Sequence, residues 1–170
     1  MNQNHQRTAR GAGKAVLFAA ALGGASIVHA DICAPTFSAR VDLGVVYSDL
    51  TECSGLAASR RNPDVYYTHE DAGHSAKVYM MNGAAQHLGY IRLTAWASRD
   101  WEDIAVGPGP LDGVNYLYIG DTGDNSAQYP TKSILRLPEP AVTSTQAAAN
   151  IDVADYDVIT YQYPDGPRDA

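Results

Sequence analysis

The sequence predicts an all-β fold. Three observations carry this expectation: apolar residues alternate or fall in short runs rather than at helical spacing, Gly, Pro, Asn and Asp punctuate those runs, and acidic landmarks recur 50 residues apart. The runs that read as strands cover residues 43–47, 55–59, 65–69, 77–81 and 87–93, then 104–106, 116–119, 133–137 and 156–163. Turn chemistry separates them at Arg61-Asn62-Pro63-Asp64, Asn82-Gly83, Gly107-Pro108-Gly109-Pro110 and Asp112-Gly113. Gly and Asn accept positive φ there, and Pro removes a ladder donor. Residues 142–153 are rich in Ala and Thr and suit either a loop or a short helix.

The recurrence organises these strands. Glu52-Cys53-Ser54-Gly55-Leu56-Ala57 is echoed by Glu102-Asp103-Ile104-Ala105. Val65-Tyr66-Tyr67-Thr68-His69-Glu70-Asp71-Ala72-Gly73 is echoed by Asn115-Tyr116-Leu117-Tyr118-Ile119-Gly120-Asp121-Thr122-Gly123, so Asp71 and Asp121 keep the same 50-residue offset as Glu52 and Glu102. Four strands in about 50 residues is the arithmetic of a propeller blade, a four-stranded sheet that packs its face on the next. The expected architecture is a β-propeller of four-stranded blades, with about two blades in residues 51–170. Residues 31–50 precede them, and Leu43-Gly44-Val45-Val46 resembles Leu88-Gly89-Tyr90-Ile91 of the first blade. Such a leading strand is expected to complete the last blade and cover an edge. Arg168-Asp169-Ala170 lines up with Arg99-Asp100-Trp101, so the chain is expected to stop where a third blade starts. Rings need about four to eight blades, which marks the sequence as the truncated, N-terminal part of a longer protein.

Residues 1–30 carry Arg7, Arg10 and Lys14 without an acid, then an apolar run over 15–28, then Val28-His29-Ala30. That is the layout of a cleaved secretory signal, and it predicts a secreted, extracellular or periplasmic protein beginning at Asp31. The apolar run is shorter than the roughly 20 residues a membrane span needs. Loss of the three basic residues leaves nine Lys and Arg against nineteen Asp and Glu, a formal charge of −10. With no basic cluster to displace counterions, binding to nucleic acid or to an anionic membrane is disfavoured, and neither is expected as a partner. Export makes a disulfide between Cys33 and Cys53 available, and two separate buried thiols are the alternative. Closing that loop would stabilise the fold by roughly 3 kcal/mol on the chain-entropy model.

Three stretches together carry a resemblance: Glu52-Cys53-Ser54-Gly55-Leu56-Ala57-Ala58-Ser59, Asp100-Trp101-Glu102-Asp103-Ile104-Ala105-Val106-Gly107 and Gly120-Asp121-Thr122-Gly123-Asp124-Asn125. They resemble a group of secreted bacterial β-propeller proteins of poorly defined function, over residues 51–140 and again over 161–170. The resemblance implies a full ring whose blade starts recur as Asp-x-Glu-x-[Ile/Leu]-[Ala/Gly]. More distantly, the acid opening each innermost strand is similar to what calcium-dependent propeller hydrolases of the regucalcin, lactonase and β-propeller phytase types place at the channel mouth.

Innermost propeller strands line the central channel, so Glu52 and Glu102 are expected to converge on one axis. Clustered carboxylates need a counter-charge, and hard oxygen ligands suit Ca²⁺. Asp103 and the turn residues Asp121, Asp124 and Asn125 are the further candidate ligands, because three oxygen donors in five residues can wrap a cation. The purely structural alternative is that these acids cap backbone N–H groups at blade corners. Asp71 reads best as a hairpin-turn residue. His69, His74 and His87 lack zinc-ligand spacing, Ser54 lies outside any nucleophile elbow, and Trp96 and Trp101 read as packing between blades. Two functions follow: an exported binding protein with a cation site at the channel mouth, with an unidentified ligand or protein on that face, or a Ca²⁺-dependent hydrolase of an ester, lactone or phosphoester.

Overall fold

A computed structural model describes residues 39–169. The signal segment and Cys33, and with it the expected disulfide, lie outside the described residues. Cys53 is exposed, with Sγ 2.9 Å from Thr68 Oγ1.

The chain is all-β, and the described residues contain no helix. β1 (Cys53–Ala58), β2 (Val65–Glu70), β3 (Lys77–Asn82) and β4 (His87–Leu93) form an antiparallel meander. β5 (Trp101–Pro108), β6 (Asn115–Asp121) and β7 (Lys132–Pro138) form a second, which β9 (Asp157–Tyr161) completes. Between β7 and β9 the chain returns to the first sheet and adds β8 (Ile151–Val153) parallel to β4. The result is two sheets, of five and four strands, that do not close on themselves.

Register explains which residues form the core. In the first sheet Ala57, Tyr67 and Met80 stand in one row and His69, Val78 and Ile91 in another. In the second, Ile104, Ile119 and Leu135 make one row and Val106, Leu117 and Leu137 the next. Period-2 alternation places each set on one face, and the apolar members of both sheets form one continuous buried cluster, with the half-buried Val106 packed against it. β1 and β5 lie side by side, and Ser54 Oγ donates to the Glu102 carbonyl at 3.3 Å.

Two expectations change. Residues 43–47 form no strand: Leu43 and Val46 instead line an apolar hollow with Leu56, Tyr66 and Met81, and Tyr47 stacks on His87 with ring centroids 4.1 Å apart. Only Val46 of this segment is half-buried, and Leu43, Val45 and Tyr47 stay exposed, so the apolar alternation here marks contact along the first sheet without ladder pairing. Residues 142–153 contain no helix and end in β8. Gly89 permits this, because a Cβ there would overlap the Ala149 backbone, and Ala149 N–H donates to the Leu88 carbonyl at 3.1 Å.

The sheets are latched at one end by Glu139, just past β7 and only 1 % exposed. Its carboxylate accepts from Ser59 Oγ at 2.5 Å, from Arg60 N and Arg61 N at 3.2 Å, and from Tyr67 Oη at 3.2 Å. The opposite end, where β2 and β6 finish and β5 starts, gathers the acids.

Candidate metal centre

Among the described residues one group of acids brings ligand atoms within 4.8 Å of one another: Asp71, Asp100 and Glu102. Asp71 directly follows β2 in the first sheet, and Asp100 directly precedes β5 in the second. Glu102 is the extra residue of a β-bulge, since Trp101 faces Asp121 while Asp103 already faces Gly120. A bulge re-aims one side chain out of the regular alternation, and here the re-aimed carboxylate is the one that joins the cluster.

Asp100 is strapped in place. Its N–H donates to Asp121 Oδ1 at 2.9 Å, its carbonyl accepts from Thr122 N and Gly123 N at 3.1 Å each, and Asn125 Nδ2 donates to its Oδ2 at 3.4 Å. Gly123 makes the close approach possible, because a Cβ on it would overlap both the Asp100 and Glu102 carboxylates. Asp100 is 8 % exposed, and its Oδ1 is buried with no hydrogen-bond partner. A buried carboxylate oxygen left unpaired is costly, so the geometry asks for a proton or a cation at that point.

The electrostatics agree with the geometry. Burial pushes the Asp100 carboxyl above its ordinary pKa, and the hydrogen-bonding position and charge of Asp71, then the charges of Asp169 and Asp121, push it the same way. Glu102 is raised by burial first and then by Asp100, Asp71 and Asp169. Each acid makes the ionised form of its neighbours harder to hold, which a divalent ion would reverse.

The other expected ligands are placed differently. Glu52 stays outside the cluster, its Oε2 3.2 Å from His74 Nε2, while His74 Nδ1 lies 3.2 Å from Glu70 Oε2. Glu52 and Glu102 match by count yet occupy different ladder positions: Glu52 bonds across to Asp71, whereas Asp121 faces Trp101. Asp103 is exposed and its Oδ1 accepts from Ile104 N at 2.8 Å. Asp121 is fully buried and holds Trp96 Nε1 at 2.8 Å as well as Asp100 N. Asp124 caps the following loop, accepting from Gln128 N, Tyr129 N and the buried Lys132 Nζ at 2.7, 2.8 and 3.0 Å. Asn125 reaches the site through Asp100. Of these three, the sequence offered Glu102 as a candidate ligand, read Asp71 as a turn residue, and placed Asp100 in the blade-start motif without a ligand role.

A cleft of about 250 Å³, lined among others by Gly123, has Asp100 alone of the three acids in its wall. A larger one, about 520 Å³, lies between residues 74–76 and 92–98 and contains none of the three acids. No helix among the described residues is long and apolar enough to cross a membrane. Comparison with protein-family models, curated proteins and solved structures gives no match.

Proposed function

We propose that this is an exported, β-propeller-type binding protein that holds a divalent cation, Ca²⁺ in the first instance, on Asp71, Asp100 and Glu102. The observation that carries the reading is a cluster of three converging carboxylates whose most buried member, Asp100, also keeps one oxygen without a hydrogen-bond partner. Support for the propeller comes from two successive meanders whose first strands, β1 and β5, are neighbours, and from the 50-residue offset between β2 and β6. All-oxygen ligation suits a hard cation over zinc or copper.

The test is calorimetric titration of chelator-stripped protein with CaCl₂, MgCl₂ and MnCl₂, paired with thermal melts. Ca²⁺ uptake near one equivalent is expected, with stabilisation of about 2.7 kcal/mol at a hundredfold excess over the dissociation constant. Asp100→Asn should abolish both. No heat from any of the three ions would overturn the reading, and chelator-sensitive turnover of an ester, lactone or phosphoester would replace binding by hydrolysis.

A further inference from the structure

We propose that β9 is a dimerisation edge, on which β9 of a second copy of this chain pairs antiparallel and joins two four-stranded sheets into one of eight strands. The contact does not involve the cation site. In an antiparallel strand alternate N–H and C=O groups point away from the inner neighbour, and among the described residues no backbone hydrogen bond reaches residues 157–161 except from β7. β9 therefore leaves a free ladder edge.

The other edges are covered or short. β4, the fourth strand of the first sheet as β9 is of the second, is covered by β8; β8 itself is only three residues long, and β1 and β5 lie against each other. Edge strands are ordinarily guarded by a bulge, a Pro or a free charge, and β9 has none of these. Its five pairs with β7 run without a slip, and its only charge, Asp157, is taken by Arg136 Nε and NH2 at 3.0 and 2.8 Å. The strand also shows apolar surface on both faces, since Val158 is 44 % and Ile159 38 % exposed.

The strand matches itself, which selects a second copy as the occupant. A two-fold axis through Ile159 pairs all five residues, Ile159 with Ile159, Val158 with Thr160 and Asp157 with Tyr161, and keeps equivalent faces of the two sheets on the same side. No like charges meet. On the outer face the row Gly120, Ile134, Ile159 then continues into the same row of the second copy, a β-branched pair at its centre. Val158, which ends the core-face row of Ile119 and Leu135, gains Thr160 of the second copy as its neighbour. Two acidic chains repel each other, so contact needs a locally neutral strip, and the pairing of Asp157 with Arg136 makes β9 one.

The experiment is sedimentation velocity of the full chain in chelator, so that a bridging cation cannot cause association, at roughly micromolar to millimolar concentration. A monomer–dimer equilibrium is expected. Ile159→Lys and Ile159→Asp each set like charges against each other at the two-fold axis, and each variant alone should remain monomeric throughout. An equimolar mixture of the two should dimerise again, because opposite charges then meet, and a rescue of this kind cannot come from misfolding. Wild-type protein that stays monomeric over the whole range would overturn the proposal. A dimer that both variants leave intact would also overturn it, as would a mixture that stays monomeric or open-ended association in place of a dimer.

Discussion

Gly123 has no side chain, and the acidic cluster depends on that. Its φ lies outside the left-handed region, so the backbone itself tolerates a larger residue; the obstacle is the two carboxylates pressed against its Cα. Gly123→Ala should therefore displace Asp100 and Glu102 and weaken Ca²⁺ binding at least tenfold in a calorimetric titration, while the melting temperature in chelator moves little. A variant that binds Ca²⁺ as tightly as wild type would show that the carboxylates can rearrange without loss. Glu102 was visible in the sequence because it opens the second repeat. Its bulge was not, since nothing in the residue types announces where a ladder slips. Asp71 and Asp100 belong to different sheets and meet only because β1 packs beside β5, a long-range event that turn chemistry does not encode. Asp121 and Asp124 attracted attention for a sound reason, an oxygen-rich turn, but their oxygens are taken by Trp96, Lys132 and backbone amides.

The loop from β6 to β7 is organised by Asp124. Burial alone would raise its carboxyl pKa, yet the amides of Gln128 and Tyr129 and the Lys132 ammonium outweigh that and hold it below the ordinary range. The folded value is thus lower than the unfolded value of about 3.9. As pH falls the unfolded chain takes up the proton first, so the stabilisation is complete above about pH 5 and is lost as pH drops through the folded value. Asp124→Asn should lower the melting temperature strongly at pH 7, because it leaves the Lys132 charge buried without its partner, and the gap from wild type should narrow below about pH 4. A gap independent of pH, in melts between pH 3 and 7, would mean that the charge of Asp124 is not what orders the loop. The same loop explains how far the repeat was legible. The 50-residue offset holds from β2 to β6, Val65 against Asn115, but β3 and β7 start at Lys77 and Lys132, five residues further apart. Strand interiors were readable from alternation of apolar residues. β8 was not, because three residues that pair parallel to a distant edge leave no periodic signature.

The two sheets are joined at both ends, by different chemistry. At one end the Glu139 carboxylate in the second sheet gathers Ser59, Arg60 and Arg61 from the turn after β1. At the other, Asp71 of the first sheet meets Asp100 and Glu102 of the second. One junction is satisfied by its own hydrogen bonds, whereas the other consists of like charges and is predicted to push the sheets apart until a cation arrives. β2 runs between the two ends, and its six residues span roughly 17 Å at about 3.4 Å each, beyond the range at which side-chain substitutions usually couple. That separation makes a specific prediction about the whole molecule. Glu139→Gln removes a buried charge that accepts several hydrogen bonds and should destabilise the protein by roughly 2–3 kcal/mol, in denaturant melts with or without Ca²⁺. Asp100→Asn should do the opposite in chelator, relieving repulsion, and should erase the gain from Ca²⁺. If the ends act independently, the double variant equals the sum of the single changes within about 0.5 kcal/mol in each condition. A larger deviation in Ca²⁺ alone would mean that the ion tightens the whole interface between the sheets, latch included, and that the two junctions work as one unit.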